Sequence, residues 1–235
     1  MASFPITIDQ KPIKSEQNET ILSACRRSDI RVLTMCHMDG LSDVGACRLC
    51  LVEVEGSPKL LPSCTTTTAP NQAIQTDTPK LRSYRRMITE LLFAERNHVC
   101  SVCIANGNCE LQDMGYAVGM DHVRFPYLFP ACDADASHDE FIQDDNRCIL
   151  CTRCVRVCDE VEGAHTWDVM GRGFGARVIT DYHQPWGESP TCTSCGKCVE
   201  VCPTGALWPK DTAQGLLRKR PSMIAELMAK RRKKT

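Results

Sequence analysis

"CILCTRCVRVCDE", residues 148–160, and "CTSCGKCVEVCPTG", residues 192–205, share the spacing C-x2-C-x2-C-x3-C. Three thiols within seven residues wrap one corner of a bound centre, and the fourth continues into a helix that points elsewhere. The chain has 17 cysteines, an odd number. Its start, "MASFPITIDQKP", lacks the basic segment followed by an apolar stretch that marks a signal peptide. No run approaches the roughly eighteen apolar residues of a membrane span. A reducing, cytoplasmic compartment is expected, and there clustered cysteines read as metal ligands in preference to a disulfide frame.

Composition agrees with that reading. The 235 residues are enough for two small domains, or three. Cysteine inflates the 43% apolar share; without it the share is roughly 36%, below that of an ordinary globular domain. A core this lean, divided among modules, needs cross-links from metals or disulfides. The net charge of -1 predicts neither nucleic-acid nor membrane binding.

Two runs of this spacing in one domain match the bacterial pattern for a pair of four-iron clusters, in which the last cysteine of each run serves the other cluster. The expected [4Fe-4S] sets are Cys148, Cys151, Cys154 and Cys202, and Cys158, Cys192, Cys195 and Cys198. Zinc prefers separated C-x2-4-C pairs and fits poorly. Pro203 turns the chain after the second run; Asp159 stands there in the first, which predicts a longer helix after Cys158.

Two further groups precede these runs. Residues 1–78 read as strand-rich. "ITIDQKPIKS" alternates around a polar turn at Asp9 to Lys11, and "LCLVEVEGSPKLLPSC" turns at Gly56-Ser57. Thr20 is placed to cap a short helix with Ile21, Leu22 and Cys25 on one face. Within this segment Cys36, Cys47, Cys50 and Cys64 follow C-x10-C-x2-C-x13-C. This shares the C-x2-C and the distant fourth thiolate of plant-type [2Fe-2S] sites; a structural zinc is the bland alternative. Gly40, Gly45 and Ala46 keep the loop small enough for backbone N–H groups to reach sulfur. Residues 79–118 begin with a helix pattern whose apolar stripe is Leu81, Tyr84, Ile88, Leu91 and Leu92, with Arg82, Arg85 and Arg86 facing away. Then come Cys100, Cys103 and Cys109, one ligand short of a four-iron set. His98 is the candidate for that place, since imidazole replaces thiolate on iron in some centres.

The remainder divides into an acidic connector, 119–141, whose aromatic "RFPYLFP" is expected to pack one module on the next, the two-run domain, 142–212, and a basic tail, 213–235. In the tail, Pro221 is placed to start a helix with Met223, Ile224, Leu227 and Met228 on one face. It reads either as a solvated end or as a docking helix for a partner subunit. The four groups hold 15 cysteines and His98, sixteen ligands for four clusters; Cys25 and Cys132 are left over. "GRGFGA", residues 171–176, is G-x-G-x-G, lacks a βαβ context, and reads as a turn before a strand. No Walker loop and no nucleophile with an orienting base appears, so no catalytic, nucleotide-binding or flavin-binding residue is assigned. The expected fold is α+β and modular: a β-grasp [2Fe-2S] domain, a small helical [4Fe-4S] segment, and a ferredoxin-like domain with two [4Fe-4S] clusters.

The order of these modules resembles the N-terminal part of the complex I large iron–sulfur subunit and of iron-only hydrogenases. In those families the histidine stands four residues before its first cysteine, a position held here by Arg96. "LSDVGACRLCLVEVEG", "LLFAERNHVCSVCIANGNCELQ", "NRCILCTRCVRVCDEVEGAHTWDV" and "CTSCGKCVEVCPTGAL" are similar to the diaphorase iron–sulfur subunit of NAD(P)-linked bidirectional nickel–iron hydrogenases, including the His-x-Cys spacing. The resemblance implies a non-catalytic electron relay through one [2Fe-2S] and three [4Fe-4S] clusters. The implied partners are an FMN- and NAD(P)-binding diaphorase subunit and the hydrogenase small and large subunits, which carry the nickel–iron centre. A thioredoxin-like [2Fe-2S] subunit is an additional implied neighbour. The alternatives are a relay in an NAD-linked formate dehydrogenase or complex I-like assembly and, outside redox chemistry, a zinc-stapled adaptor.

Overall fold

A five-stranded mixed sheet organises the first part of the chain, in a computed structural model that describes residues 3–232. The strands are β1 (Ser3–Ile8), β2 (Lys11–Glu16), β3 (Leu51–Val54), β4 (Leu61–Pro62) and β5 (Ala73–Gln75), in the order β2-β1-β5-β3-β4. Asp9 and Gln10, at φ 48° and 66°, make the tight turn between β1 and β2. Consecutive positive φ values match the right-handed twist of the flanking strands. β1 lies parallel to β5, and β3 is antiparallel to both β5 and β4. Helix α1 (Ile21–Arg27) starts where the Thr20 side chain accepts from the Ser23 N–H. Its Ile21, Ala24 and Cys25 pack against Ile6, Ile8, Val52 and Ile74. Cys25 is thus a core residue, and burial pushes its thiol up to about 12.

Residues to His37 and Asp43–Thr89 form this first unit; Met38–Ser42 and the chain from Glu90 onward form a second. Helix α2 (Pro79–Ala94) begins in one and ends in the other. Its inner face differs from the expected stripe. Leu81, Arg85, Thr89 and Glu90 are buried, whereas Tyr84 and Leu91 are exposed. The reason is polar: Arg85 finds three carbonyl acceptors inside, and Glu90 pairs with Arg124 at 2.8 Å.

The second unit takes in both the one-histidine group and the two cysteine runs. Its strands are β6 (Ala134–Asp135), β7 (Phe141–Asp144), β8 (Trp167–Met170), β9 (Arg177–Thr180) and β10 (Leu207–Pro209). They form a three-stranded sheet, β10-β7-β6, and the hairpin β8-β9. Helix α3 (Glu110–Ala117) follows Cys109, and its Glu110 carboxylate receives both Nη atoms of buried Arg153 at 2.7 and 2.9 Å. Helix α4 (Arg153–Arg156) widens into a π-helical stretch, Val157–Glu162, that closes on Gly163 at φ 78°. Helix α5 (Lys197–Val201) ends before Cys202 and Pro203. The longer helix expected after Cys158, where Asp159 replaces proline, is present.

Two expectations fail here. Of the three aromatics in "RFPYLFP" only Phe125 is half-buried, while Tyr127 and Phe129 stack on each other at the surface. The connector is fixed instead by polar bonds, Leu128 N–H to the Ala94 carbonyl and Asn97 Nδ2 to the Pro130 carbonyl. The tail helix α6 (Ser222–Arg232) does form, but its apolar face is taken by this chain. Ile224 is fully buried, with Met223, Leu227 and Met228 around it, in the same core as Met38 and Leu41. Among the described residues no helix is long and apolar enough to cross a membrane.

Candidate iron–sulfur sites

In the first unit Cys36, Cys47, Cys50 and Cys64 come together. The Cys50 and Cys64 sulfurs stand 3.4 Å apart, and the Cys36 sulfur bonds to Cys47 and Cys64. Backbone N–H groups converge as well: Met35 donates to Cys47 Sγ at 3.4 Å, and Ala46 and Cys47 donate to Cys36. Bonds from Cys47 and Cys64 hold Cys36 below the usual thiol range, and a bond from Cys64 does the same for Cys50. Their partners Cys47 and Cys64 are pushed up correspondingly. Gly45, at φ 63°, shapes this loop. Gly40 serves another purpose, because its position lies against Ala225 of α6, where a Cβ would meet the backbone at 3.1 Å.

Arg85 secures the C-x2-C turn. Its guanidinium donates to the carbonyls of Leu49 (3.1 Å), Leu51 (3.0 Å) and Thr76 (2.7 Å). Arg85→Met leaves those buried acceptors empty, at about 1–3 kcal/mol each where water cannot replace the bond. The expected result is loss of about 3 kcal/mol from the first unit, read by chemical denaturation; an unchanged midpoint would remove Arg85 from this role.

In the second unit the remaining candidates fall around three cavities. One is lined by Cys148, Cys151, Cys154 and Cys202. A second is lined by Cys158, Cys192, Cys195 and Cys198. The third gathers His98, Cys100, Cys103 and Cys109. Trp167 lines the first and second, and Thr204 the first and third, so neighbouring cavities share walls. A Cβ on Gly205 would stand 2.6 Å from Cys103 Sγ. Within each run the backbone visits the left-handed region twice, at Leu150 and Thr152 and at Ser194 and Gly196. These turns aim N–H groups inward, and the Leu150 N–H reaches Cys148 Sγ at 3.5 Å. The Thr166 N–H donates to Cys158 Sγ at 3.4 Å, and those of Leu111 and Gln112 to Cys109.

The donor set fits iron–sulfur clusters. His98 Nε2 is buried with no hydrogen-bond partner, while the ring bonds to the Leu92 carbonyl. The second nitrogen, Nδ1, therefore carries the proton, which leaves a bare lone pair on a side chain that lines the same cavity as the three cysteines, as a metal-ligating histidine requires. Burial, with the charges of Arg147 and Arg96, lowers its pKa to about 4, so the lone pair stays free at neutral pH. Arg96 is not an alternative ligand, because its guanidinium donates to the Phe174 and Ala176 carbonyls. Burial raises most of the thiols, Cys109 and Cys151 to about 11 and Cys148, Cys154 and Cys198 also upward. Such thiols become thiolates when a metal displaces the proton. No three of the described His, Cys, Asp or Glu side chains converge as ligands of a single ion do; in the second unit the sulfurs ring cavities instead.

Several contributors escaped sequence reasoning. Trp186 Nε1 donates to Cys192 Sγ at 3.3 Å, and the Trp167 side chain bonds to Cys198. Lys219 of the tail donates to the carbonyls of Cys202 (2.7 Å) and Thr204 (2.6 Å). Burial opposes it, but the Lys219 charge helps hold Cys202 below the usual thiol range. The two tryptophans were visible only as rare residues near the runs; Lys219 was hidden in a basic tract. Cys132 lines a separate cavity of about 760 Å³ that also touches Cys148.

Family profiles match three stretches: a "2Fe-2S iron-sulfur cluster binding domain" at residues 2–79, an "NADH-ubiquinone oxidoreductase-G iron-sulfur binding region" at 85–124, and an "NADH-quinone oxidoreductase subunit 3, ferredoxin-like domain" at 140–208. The mitochondrial NADH dehydrogenase [ubiquinone] iron-sulfur protein 1 of Solanum tuberosum is 34% identical over 88% of this chain, which spans only 28% of that protein. The gamma subunit of the NAD-reducing hydrogenase HoxS of Cupriavidus necator is 31% identical, with 88% of each chain covered. A chain in the crystal structure of an NAD+-reducing [NiFe]-hydrogenase in the H2-reduced state superposes with a TM-score of 0.85 at 32% identity, covering 92% of this chain and 91% of its own length. With iron–sulfur domains along its length and 88% of an oxidoreductase subunit matched, this chain belongs to the family of the NAD-reducing hydrogenase gamma subunit.

Proposed function

We propose that this chain is a non-catalytic electron-relay subunit, carrying electrons in either direction between an FMN- and NAD(P)-binding diaphorase subunit and a nickel–iron hydrogenase module. The observation that carries the reading is the row of cavities: His98 to Cys148 across Thr204, and Cys148 to Cys158 across Trp167. A site that only cross-links a fold has no need of neighbours in series. Bound clusters supply one-electron transfer, tuned by ligand charge, hydrogen bonds to sulfur and solvent exposure. The side chains do the rest. Cys36, Cys47, Cys50 and Cys64 hold a [2Fe-2S] cluster, and the three cavities hold [4Fe-4S] clusters on the ligand sets named above. Trp186, Trp167 and backbone N–H groups orient the sulfurs, and Lys219 offsets their charge.

Anaerobic isolation tests this reading. The chain is expected to be brown and to contain about fourteen iron atoms, one two-iron and three four-iron clusters. His98→Ala is expected to lower that by about four and to alter one four-iron electron paramagnetic resonance signal. A colourless, zinc-loaded protein would instead support the adaptor reading. The likeness to an NADH dehydrogenase iron–sulfur protein favours one second reading, a relay within a complex I-like assembly. Co-purification separates the two, since recovery without nickel would reject the hydrogenase assignment.

A further inference from the structure

The cavity of His98, Cys100, Cys103 and Cys109 has a cation in its wall. Arg147 lines it, although it is the sequence neighbour of Cys148, which belongs to the next cavity. A single turn, Asp145–Arg147, places it there, with the Asp144 side chain accepting from the Asn146 N–H. Arg147 Nε lies 3.7 Å from Asp144 Oδ2. Its Nη1 is buried and has no hydrogen-bond partner among the described residues. The charge is felt within the site, for it bears on both His98 and Cys100. Elsewhere in this unit buried or half-buried cations are engaged with protein acceptors, Arg153 with Glu110, Lys197 with Glu162, and Lys219 with two carbonyls.

A buried guanidinium N–H without an acceptor is costly, and the same cavity holds a second orphan of opposite demand, the lone pair of His98 Nε2. A metal ion alone satisfies the histidine and leaves the arginine worse placed. An anion alone does the reverse. A centre that presents both iron and sulfide satisfies both. Resting on the cluster assignment above, we infer that Arg147 sets the reduction potential of the one-histidine site, donating Nη1–H to a sulfur of that site. When the bound group gains one electron, no bond forms or breaks and no proton is required, so the added negative charge must be balanced by fixed charges nearby. Arg147, beside a neutral histidine in place of a fourth thiolate, does this and raises the potential.

The test uses the assembled complex, purified anaerobically and titrated potentiometrically while the four-iron signals are followed by electron paramagnetic resonance. In Arg147→Met, the ratio of reduced to oxidised centre at the wild-type midpoint is expected to fall about tenfold for one signal, a shift of about 59 mV to more negative potential. Arg147→Lys should stay within about threefold, and Asp144→Asn, which frees the guanidinium from its partner, should not lower the midpoint. An unmoved midpoint in Arg147→Met with full iron content overturns the inference. If the Met variant fails to load, retention of iron and midpoint by the Lys variant supports the role of charge; loss in both makes Arg147 merely structural and overturns it. If no four-iron signal responds to His98→Ala in the wild-type background, the ligand assignment has failed instead.

Discussion

Cys158→Ser is expected to abolish the cluster held by Cys192, Cys195 and Cys198, more than thirty residues away in sequence, and to leave the one on its near neighbours Cys148, Cys151 and Cys154. Cys158 leaves the narrow helix α4 on a wider π-helical turn, and its sulfur accepts the Thr166 N–H inside the other cavity. Iron should fall by about four atoms, one four-iron signal should vanish, and hydrogen-dependent NAD(P) reduction by the complex should drop to background. Cys202→Ser is the mirror experiment, because Cys202 closes the cavity of the first run. Were Cys158→Ser to remove the signal that Cys151→Ser also removes, the exchange of ligands between runs would be wrong.

Stripping iron should loosen the second unit far more than the first. The second core contains Cys154, Cys158, Cys198 and Cys202 among its buried members, so the candidate ligands are also the packing. Emptying cavities lined by these residues removes both the cross-link and the contacts that filled the space. The sheet core of the first unit is aliphatic, built on Ile6, Ile8, Ile21, Val52 and Ile74, and is expected to retain more protection. Hydrogen exchange after anaerobic chelation should show residues 148–202 approaching unprotected rates; native protection with iron fully removed would contradict this. The first unit, which keeps its core, has a pH dependence of its own. Cys25 is raised by burial to about 12, above an unfolded thiol value of about 8.5. The folded form therefore holds a proton that the unfolded form releases, and stability present below about pH 8.5 is lost as pH rises toward 12. Loading runs the other way, because each metal–thiolate bond expels a proton, and is favoured as pH rises.

Much of this was legible in the spacing of thiols, because C-x2-C-x2-C-x3-C constrains local backbone regardless of surroundings. The hairpins around Asp9 and Gly56 and the Thr20 cap were legible for the same reason, being local signals. What failed was whatever depended on distant partners. Arg85 looks like a solvent-facing charge until three carbonyls are found beside it, and nothing local marks Glu90 for burial beside Arg124. Tyr127 and Phe129 look like packing residues until the connector is seen to be held through its backbone. The tail helix was predicted correctly, but periodicity cannot say whose core Ile224 enters. Arg147 carries no sequence signal, since its meaning lies in an unpaired nitrogen within a cavity assembled from three separate segments.

Gly205 has a consequence for anyone wishing to transplant these parts. It sits just past the last thiol of the second run, yet the space a side chain would need is already taken by Cys103. The Glu110 N–H bonds to the Pro203 carbonyl at 2.9 Å beside it. The two-run portion is therefore not a free-standing cassette. Cut away from residues 90–118, it would bare a face moulded to fit them, and a minimal ferredoxin excised from this chain should begin at the histidine group.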